Sequence, residues 1–183
     1  MDNRKPLDQE IEAFLRAGNT ALERGERSRA LEEFRKIVER DPANAVGYNK
    51  IGVALAELGR LDEAEKNFEE AIRLDPELPQ PHTNLGNVYY SRGRYAEAVG
   101  KHQEALRRDP EFAAAYNNLA AAYKKMGKIG EAVATMKKAR RFENRSLEAE
   151  SRKAVAGGRA GCASSLLLMV LAIAAASAVL LLA

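Results

Sequence analysis

The 183-residue chain has a single cysteine, Cys162, and only two histidines, His82 and His102. One cysteine cannot close an internal disulfide, which fits a reducing compartment. Cysteine and histidine form no metal-spaced cluster, so no metal is expected. There is no glycine-rich phosphate loop and no nucleophile motif, so neither a cofactor nor catalysis is expected. The N-terminal stretch MDNRKPLDQE has no apolar run and does not read as a secretory signal. The folded part is therefore expected to stay where it was made. Charge is missing from one region altogether, because nothing after Arg159 is charged. Of 29 Lys+Arg and 26 Asp+Glu, six and three lie in 140–159, which leaves 23 of each in 1–139. The net charge of +3 thus belongs to 140–159 alone. A nucleic-acid binder would carry its basic stripe on the folded part. No nucleic acid and no small-molecule substrate is expected as a partner.

What the chain does have is a repeat. Gly18, Gly52, Gly86 and Ala120 are spaced by 34 residues, and so are Ala30, Ala64, Ala98 and Ala132. Pro42, Pro76 and Pro110 keep the same step, with Asn144 in the fourth place. Glycines recur at 25, 59, 93 and 127. A fixed period of this length marks a stack of supersecondary units. Each copy reads as two helices. In the second, Tyr48, Ile51 and Leu55 share one face, and Leu61, Ala64, Phe68, Ala71 and Ile72 share another. Gly52 and Ala64 let the two helices approach closely, while Tyr48 and Phe68 fill the space around them. Gly59 suits a left-handed helix end, and Pro76 cannot continue a helix.

This pattern resembles the tetratricopeptide repeat. The second copy matches at Tyr48, Ile51, Gly52, Leu55, Gly59, Ala64, Phe68, Ala71 and Pro76. The third departs at His82 and His102, where large aromatics are usual, and the fourth carries Met136 and Asn144 for the aromatic and the proline. The resemblance implies an all-α solenoid, a right-handed superhelix of four helix-turn-helix repeats. A polar lead at 1–10 precedes repeats at 11–44, 45–78, 79–112 and 113–146. A capping helix at 147–157 and a basic, glycine-containing linker at 158–163 follow. Gly18, Gly52, Gly86, Ala120, Ala30, Ala64, Ala98 and Ala132 are the expected repeat-packing positions.

In this family the first helix of each repeat lines a concave groove that holds a protein or an extended peptide. The resemblance places Asn19, Asn49, Asn84, Asn87, Tyr90, Asn117, Asn118 and Lys124 in that groove. A carboxamide both donates and accepts, so it suits a peptide backbone. Asn84 and Asn118 hold places similar to the asparagine ladder of the O-linked N-acetylglucosamine transferase superhelix. The alternative is that these amides bond to one another between repeats. A clamp for paired carboxylates is not expected, because Leu15, Lys50 and Thr83 stand where it needs other residues. His82 and His102 read as packing residues. The many Glu and Lys read as solvated faces with i,i+4 partners, as at Glu65, Glu69 and Arg73.

The stretch 164–183 contains only Leu, Ala, Val, Ile, Met and Ser. As a helix, residues 166–183 would span roughly 27 Å, against a bilayer hydrocarbon core of about 30 Å. A four-repeat solenoid has no closed core to hide such a segment. The expectation is one C-terminal transmembrane helix at 164–183, with the basic 140–159 segment held on the cytoplasmic side. The layout resembles tail-anchored proteins. Richness in Ala, Arg and Glu points to a bacterial inner membrane, with a eukaryotic tail-anchored protein as the alternative. The expected function is a membrane-anchored scaffold or adaptor for a partner protein. The second reading is an assembly factor or co-chaperone whose anchor contacts the client.

Overall fold

The computed structural model describes residues 4–158. Eight helices follow one another among them: α1 (Arg4–Glu23), α2 (Arg27–Arg40), α3 (Ala45–Glu57), α4 (Leu61–Leu74), α5 (Pro79–Ser91), α6 (Tyr95–Arg108), α7 (Ala113–Lys125) and α8 (Ile129–Gly158). The chain falls into two compact units divided after Arg140. The first is the solenoid. The second holds, among described residues, the remainder of α8.

Inside a repeat, the two helices cross where a ring lies on a small residue. A Cβ built on Gly18 would stand 2.3 Å from Phe34 Cε1, and one on Gly52 would stand 2.5 Å from Phe68 Cε1. Gly86 takes the His102 ring in the same way, with a Cβ there 2.6 Å from Cε1. Only hydrogen fits at these points. Phe34 and Phe68 are 0% and 1% exposed, and Ala30, Ala64 and Ala98 are fully buried beside them. Burying each phenylalanine contributes about 1.5–3 kcal/mol. The fourth repeat solves the crossing differently. Ala120 replaces the glycine, and Met136, 57% exposed, replaces the ring.

Two local devices turn the chain at the repeat period. Gly59 has φ +77°, the left-handed region that favours glycine. From there Gly59 N–H reaches Ala56 O at 3.0 Å and Arg60 N–H reaches Leu55 O at 2.9 Å, satisfying the carbonyls at the end of α3. The same turn recurs at 25, 93 and 127. Between repeats an Asp-Pro pair stops the second helix. Asp41, Asp75 and Asp109 each accept from the backbone N–H two residues on, at 3.1, 3.0 and 3.0 Å. The proline that follows cannot extend the helix.

At the fourth junction Glu143 and Asn144 replace that pair. Without the turn and the proline, α8 runs unbroken from Ile129 to Gly158. The expected boundary at 146/147 falls inside it, and the expected capping helix is the continuation of α8. At the other end, α1 begins at Arg4, within the expected polar lead. Pro6 sits in its first turn, where a missing N–H costs no helical bond. The surface pairing also differs from expectation. Arg73 pairs with Glu70 at i,i+3, and Glu65 pairs with Arg92 of the next repeat. Guanidinium and carboxylate meet side by side at three-residue spacing, as the bidentate Arg73–Glu70 contact shows.

Among the described residues no helix is long and apolar enough to cross a membrane. The segment expected to do so, 164–183, and Cys162 with the rest of the linker after Gly158 lie outside the described residues.

Gly52→Ala is expected to cost about 1–3 kcal/mol in urea unfolding, because a buried ring must give way. Combined with Phe68→Met, which reproduces the fourth repeat's solution, the two changes should be non-additive by at least about 0.5 kcal/mol. Strict additivity in that cycle would contradict the ring-on-glycine account.

Candidate functional site

The first helices form a layer of their own. α3 touches α5 and α5 touches α7, whereas within α1–α7 the second helices pack chiefly on first helices. Asn19 lies on α1, Asn49 on α3, Asn84, Asn87 and Tyr90 on α5, and Asn117, Asn118 and Lys124 on α7, a row of side chains on the first helices.

Two hydrogen bonds stitch this row across repeats. Lys50 Nζ donates to Asn19 Oδ1 at 2.8 Å, and Asn84 Nδ2 donates to Asn49 Oδ1 at 2.9 Å. Asn49 is 6% exposed, so its oxygen is committed to Asn84 and it supports the row from below. Asn19, Asn84 and Asn118 are half-buried, and Asn87, Asn117 and Lys124 are exposed. Tyr90 is half-buried and meets Tyr95 edge to face, with ring centroids 5.3 Å apart. A carboxamide that spends one hydrogen bond within the protein keeps further donors and acceptors for a ligand. Asn84 bonds to an amide of the preceding repeat, as the alternative made from the sequence has it, and remains half-buried. Lys50 is tied to Asn19, which removes it as a simple grip for carboxylates.

The packing positions lie behind this face. Gly18, Gly52 and Gly86 are buried under the rings, and Ala120 is 3% exposed. Ala132 is 4% exposed. The two histidines are buried in the third repeat. His82 Nδ1 lies 3.1 Å from Glu104 Oε2, and its Nε2 lies 3.2 Å from the Pro76 carbonyl. Burial is the main influence and pushes the His82 pKa down, against the opposing pull of Pro76 and Glu104. His102 has no partner at either ring nitrogen, and neither does Thr83 Oγ1. Burial alone lowers the His102 pKa to about 4. The histidine fills the place of Phe34 and Phe68 in shape but leaves two polar atoms unsatisfied.

A concavity that sequence reasoning missed lies between α6, α7 and the first half of α8. It is a cleft of about 370 Å³ lined by Gln103, Leu106, Arg107, Tyr116, Leu119, Tyr123, Thr135 and Lys138. Gln103 Nε2 donates to the Tyr123 hydroxyl at 3.0 Å, and Lys138 lies over the Tyr116 ring. Its residues come from three helices and share no spacing that a sequence pattern would reveal. Among the described residues no group of three or more His, Cys, Asp or Glu is placed to hold a metal ion.

Residues 1–177 match the family model of the Cilia and flagella-associated protein 70 C-terminal domain, a tetratricopeptide-type domain. Among solved structures, a crystal structure of MamA is similar at a TM-score of 0.64 and 28% identity, covering 75% of this chain and 81% of that one. A second MamA structure gives a TM-score of 0.62 at 28% identity, covering 77% and 78%. PilF of Pseudomonas aeruginosa gives a TM-score of 0.70 at 25% identity, covering 76% of this chain and 64% of PilF. No curated protein matches the chain. The chain belongs to the family of the Cilia and flagella-associated protein 70 C-terminal domain.

One consequence for stability follows from His102. Its folded pKa of about 4 lies below the ordinary 6.5. Above pH 6.5 both states are neutral there, and the group adds no pH dependence. As pH falls from 6.5 towards 4, the unfolded chain takes up a proton that the folded one refuses, so stability is lost. The loss should reach about 3 kcal/mol. His102→Phe is expected to raise stability at pH 7 by about 1–3 kcal/mol and to flatten that part of the profile. Chemical denaturation at several pH values measures both.

Proposed function

We propose that the first-helix face of this solenoid holds an extended segment of a partner protein, and that residues 164–183 fix the chain to a membrane with the repeats on its cytoplasmic side. The observation that carries the first half is the set of side-chain amides on the first helices, with Asn84 and Asn118 34 residues apart and Asn19 and Asn87 two such steps apart. Asn19, Asn84 and Asn118 are half-buried, and Asn87, Asn117 and Lys124 are exposed. An extended backbone offers one N–H and one C=O per residue, which such a row matches without reading side chains. Tyr90 adds an amphipathic ring beside the amides, a type of group favoured at interfaces. Family membership and likeness to MamA and PilF support a binding module, since a repeat stack presents an extended inner surface.

Composition and charge support the second half. The apolar stretch is long enough for one span, and the six basic residues of 140–159 precede it. Basic residues in that place also attract anionic headgroups. The chain then acts as an adaptor, bringing a bound partner to a membrane surface.

Two outcomes are expected. Alanine at Asn87, Asn117 and Lys124 together should abolish capture of the partner from native membranes while circular dichroism stays unchanged. Undiminished capture would refute the amide row as the binding surface. Removal of residues 164–183 should move the chain from the membrane pellet to the supernatant, and retention in the pellet would refute the anchor.

A further inference from the structure

On α8 the exposed apolar residues Ile129, Val133 and Met136 follow one face, and Thr135 and Lys138 follow another. That second face borders the cleft of about 370 Å³ between α6, α7 and α8, whose lining residues all belong to the first compact unit. Leu119 and the half-buried Leu106 give it an apolar lining, with the half-buried Tyr116 and Tyr123 beside them. Its charge is of one sign. Arg107 and Lys138 are exposed along it, and among the described residues no Asp or Glu lines it.

The preceding repeat junction shows what is missing. Tyr116, Thr135 and Lys138 stand 34 residues after His82, Lys101 and Glu104. There the three side chains close on one another. Glu104 Oε2 accepts from Lys101 Nζ at 3.0 Å and lies 3.1 Å from His82 Nδ1. That junction carries its own carboxylate. In the last junction a cation, Lys138, holds the carboxylate's place, and Thr135 replaces the lysine. Lys138 Nζ lies over the Tyr116 ring, 5.9 Å from its centroid. Arg107 has Glu104 at 3.9 Å, farther from that carboxylate than Lys101 or His82. The Tyr123 hydroxyl accepts from Gln103 and keeps its own proton to donate.

We propose that this cleft takes an aspartate or glutamate side chain from an acidic, aliphatic-containing segment of a partner protein, which supplies the carboxylate that the earlier junction builds in. Two cations and a phenolic O–H suit one carboxylate, and hydrogen bonds to an ionised acceptor are roughly twice as strong as neutral ones. Leu106 and Leu119 receive an aliphatic neighbour of the acidic residue. A bilayer surface meets only what protrudes, whereas Leu119 and Thr135, at 5% and 8% exposed, are reached by a side chain that enters. None of the lining residues is one of the amides of the first helices, so this site stands independently of the peptide-binding face proposed above.

The test uses the full chain in mild detergent and fluorescence anisotropy of a labelled peptide of alternating glutamate and leucine. The same peptide with glutamine for glutamate is expected to bind at least about tenfold more weakly. Lys138→Gln and Arg107→Gln should each weaken the glutamate peptide by about tenfold, and Lys138→Arg should retain binding. Because both residues are exposed, circular dichroism should report intact repeats in every variant. Equal affinity for the two peptides would overturn the proposal. So would equal weakening by Arg152→Gln, outside the cleft, which would show attraction to the basic segment at large. Preference for short-chain phosphatidylserine over the peptide would assign the two cations to lipid and overturn it as well.

Discussion

A ring resting on a residue without a side chain is the contact from which the rest of this structure follows. It brings the two helices of a repeat close at one fixed point, Gly18 under Phe34, Gly52 under Phe68 and Gly86 under His102. Because the crossing recurs every 34 residues, successive first helices take equivalent positions. That equivalence is what lets Lys50 reach Asn19 and Asn84 reach Asn49 across repeat boundaries. No single repeat could hold these amides in line, since each buries its apolar face only against a neighbour. The amide-bearing face is therefore a product of stacking, and its geometry is inherited from the buried crossings behind it.

The third and fourth repeats show what happens as that contact is relaxed. His102 preserves the flat ring on Gly86 but brings two nitrogens without partners. Ala120 and Met136 abandon the ring, and Met136 is left exposed. Beyond them the Asp-Pro stop is replaced by Glu143-Asn144, and the second helix of the repeat simply continues. The same few substitutions thus close the repeat series, lengthen its last helix and leave an apolar stripe along it. Elsewhere the large apolar residues of the solenoid are mostly buried or half-buried, so the stripe marks where the stack stops covering itself.

Much of this could be read from the sequence, because small residues, turn glycines and prolines constrain the backbone wherever they stand. The glycines at 25, 59, 93 and 127 announced left-handed turns, and all four have φ between +74° and +77°. Pro42, Pro76 and Pro110 announced helix ends. What pattern could not supply was the identity of contacts between side chains. The burial of Asn49 depends on Asn84 one repeat away, and Arg73 takes Glu70 rather than a residue four places back. The unbroken α8 was partly visible, in the Asn144 that interrupts the proline series. Its consequence was missed because the 147–157 segment still kept the repeat's register. The early start of α1 was missed because a polar segment gives no periodic signal. Of the candidate binding face, residue identity and register were legible, but which amides were already committed was not.

The central claim is that stability passes from repeat to repeat through these neighbour contacts. Native-state amide hydrogen exchange tests it most directly, because it resolves local opening along the chain. The account predicts the slowest exchange in α3, α4, α5 and α6, which each pack on the preceding and the following helix, and faster exchange in α1, which packs mainly on α2. Uniform protection from α1 to α6, lost in a single step with added denaturant, would contradict it.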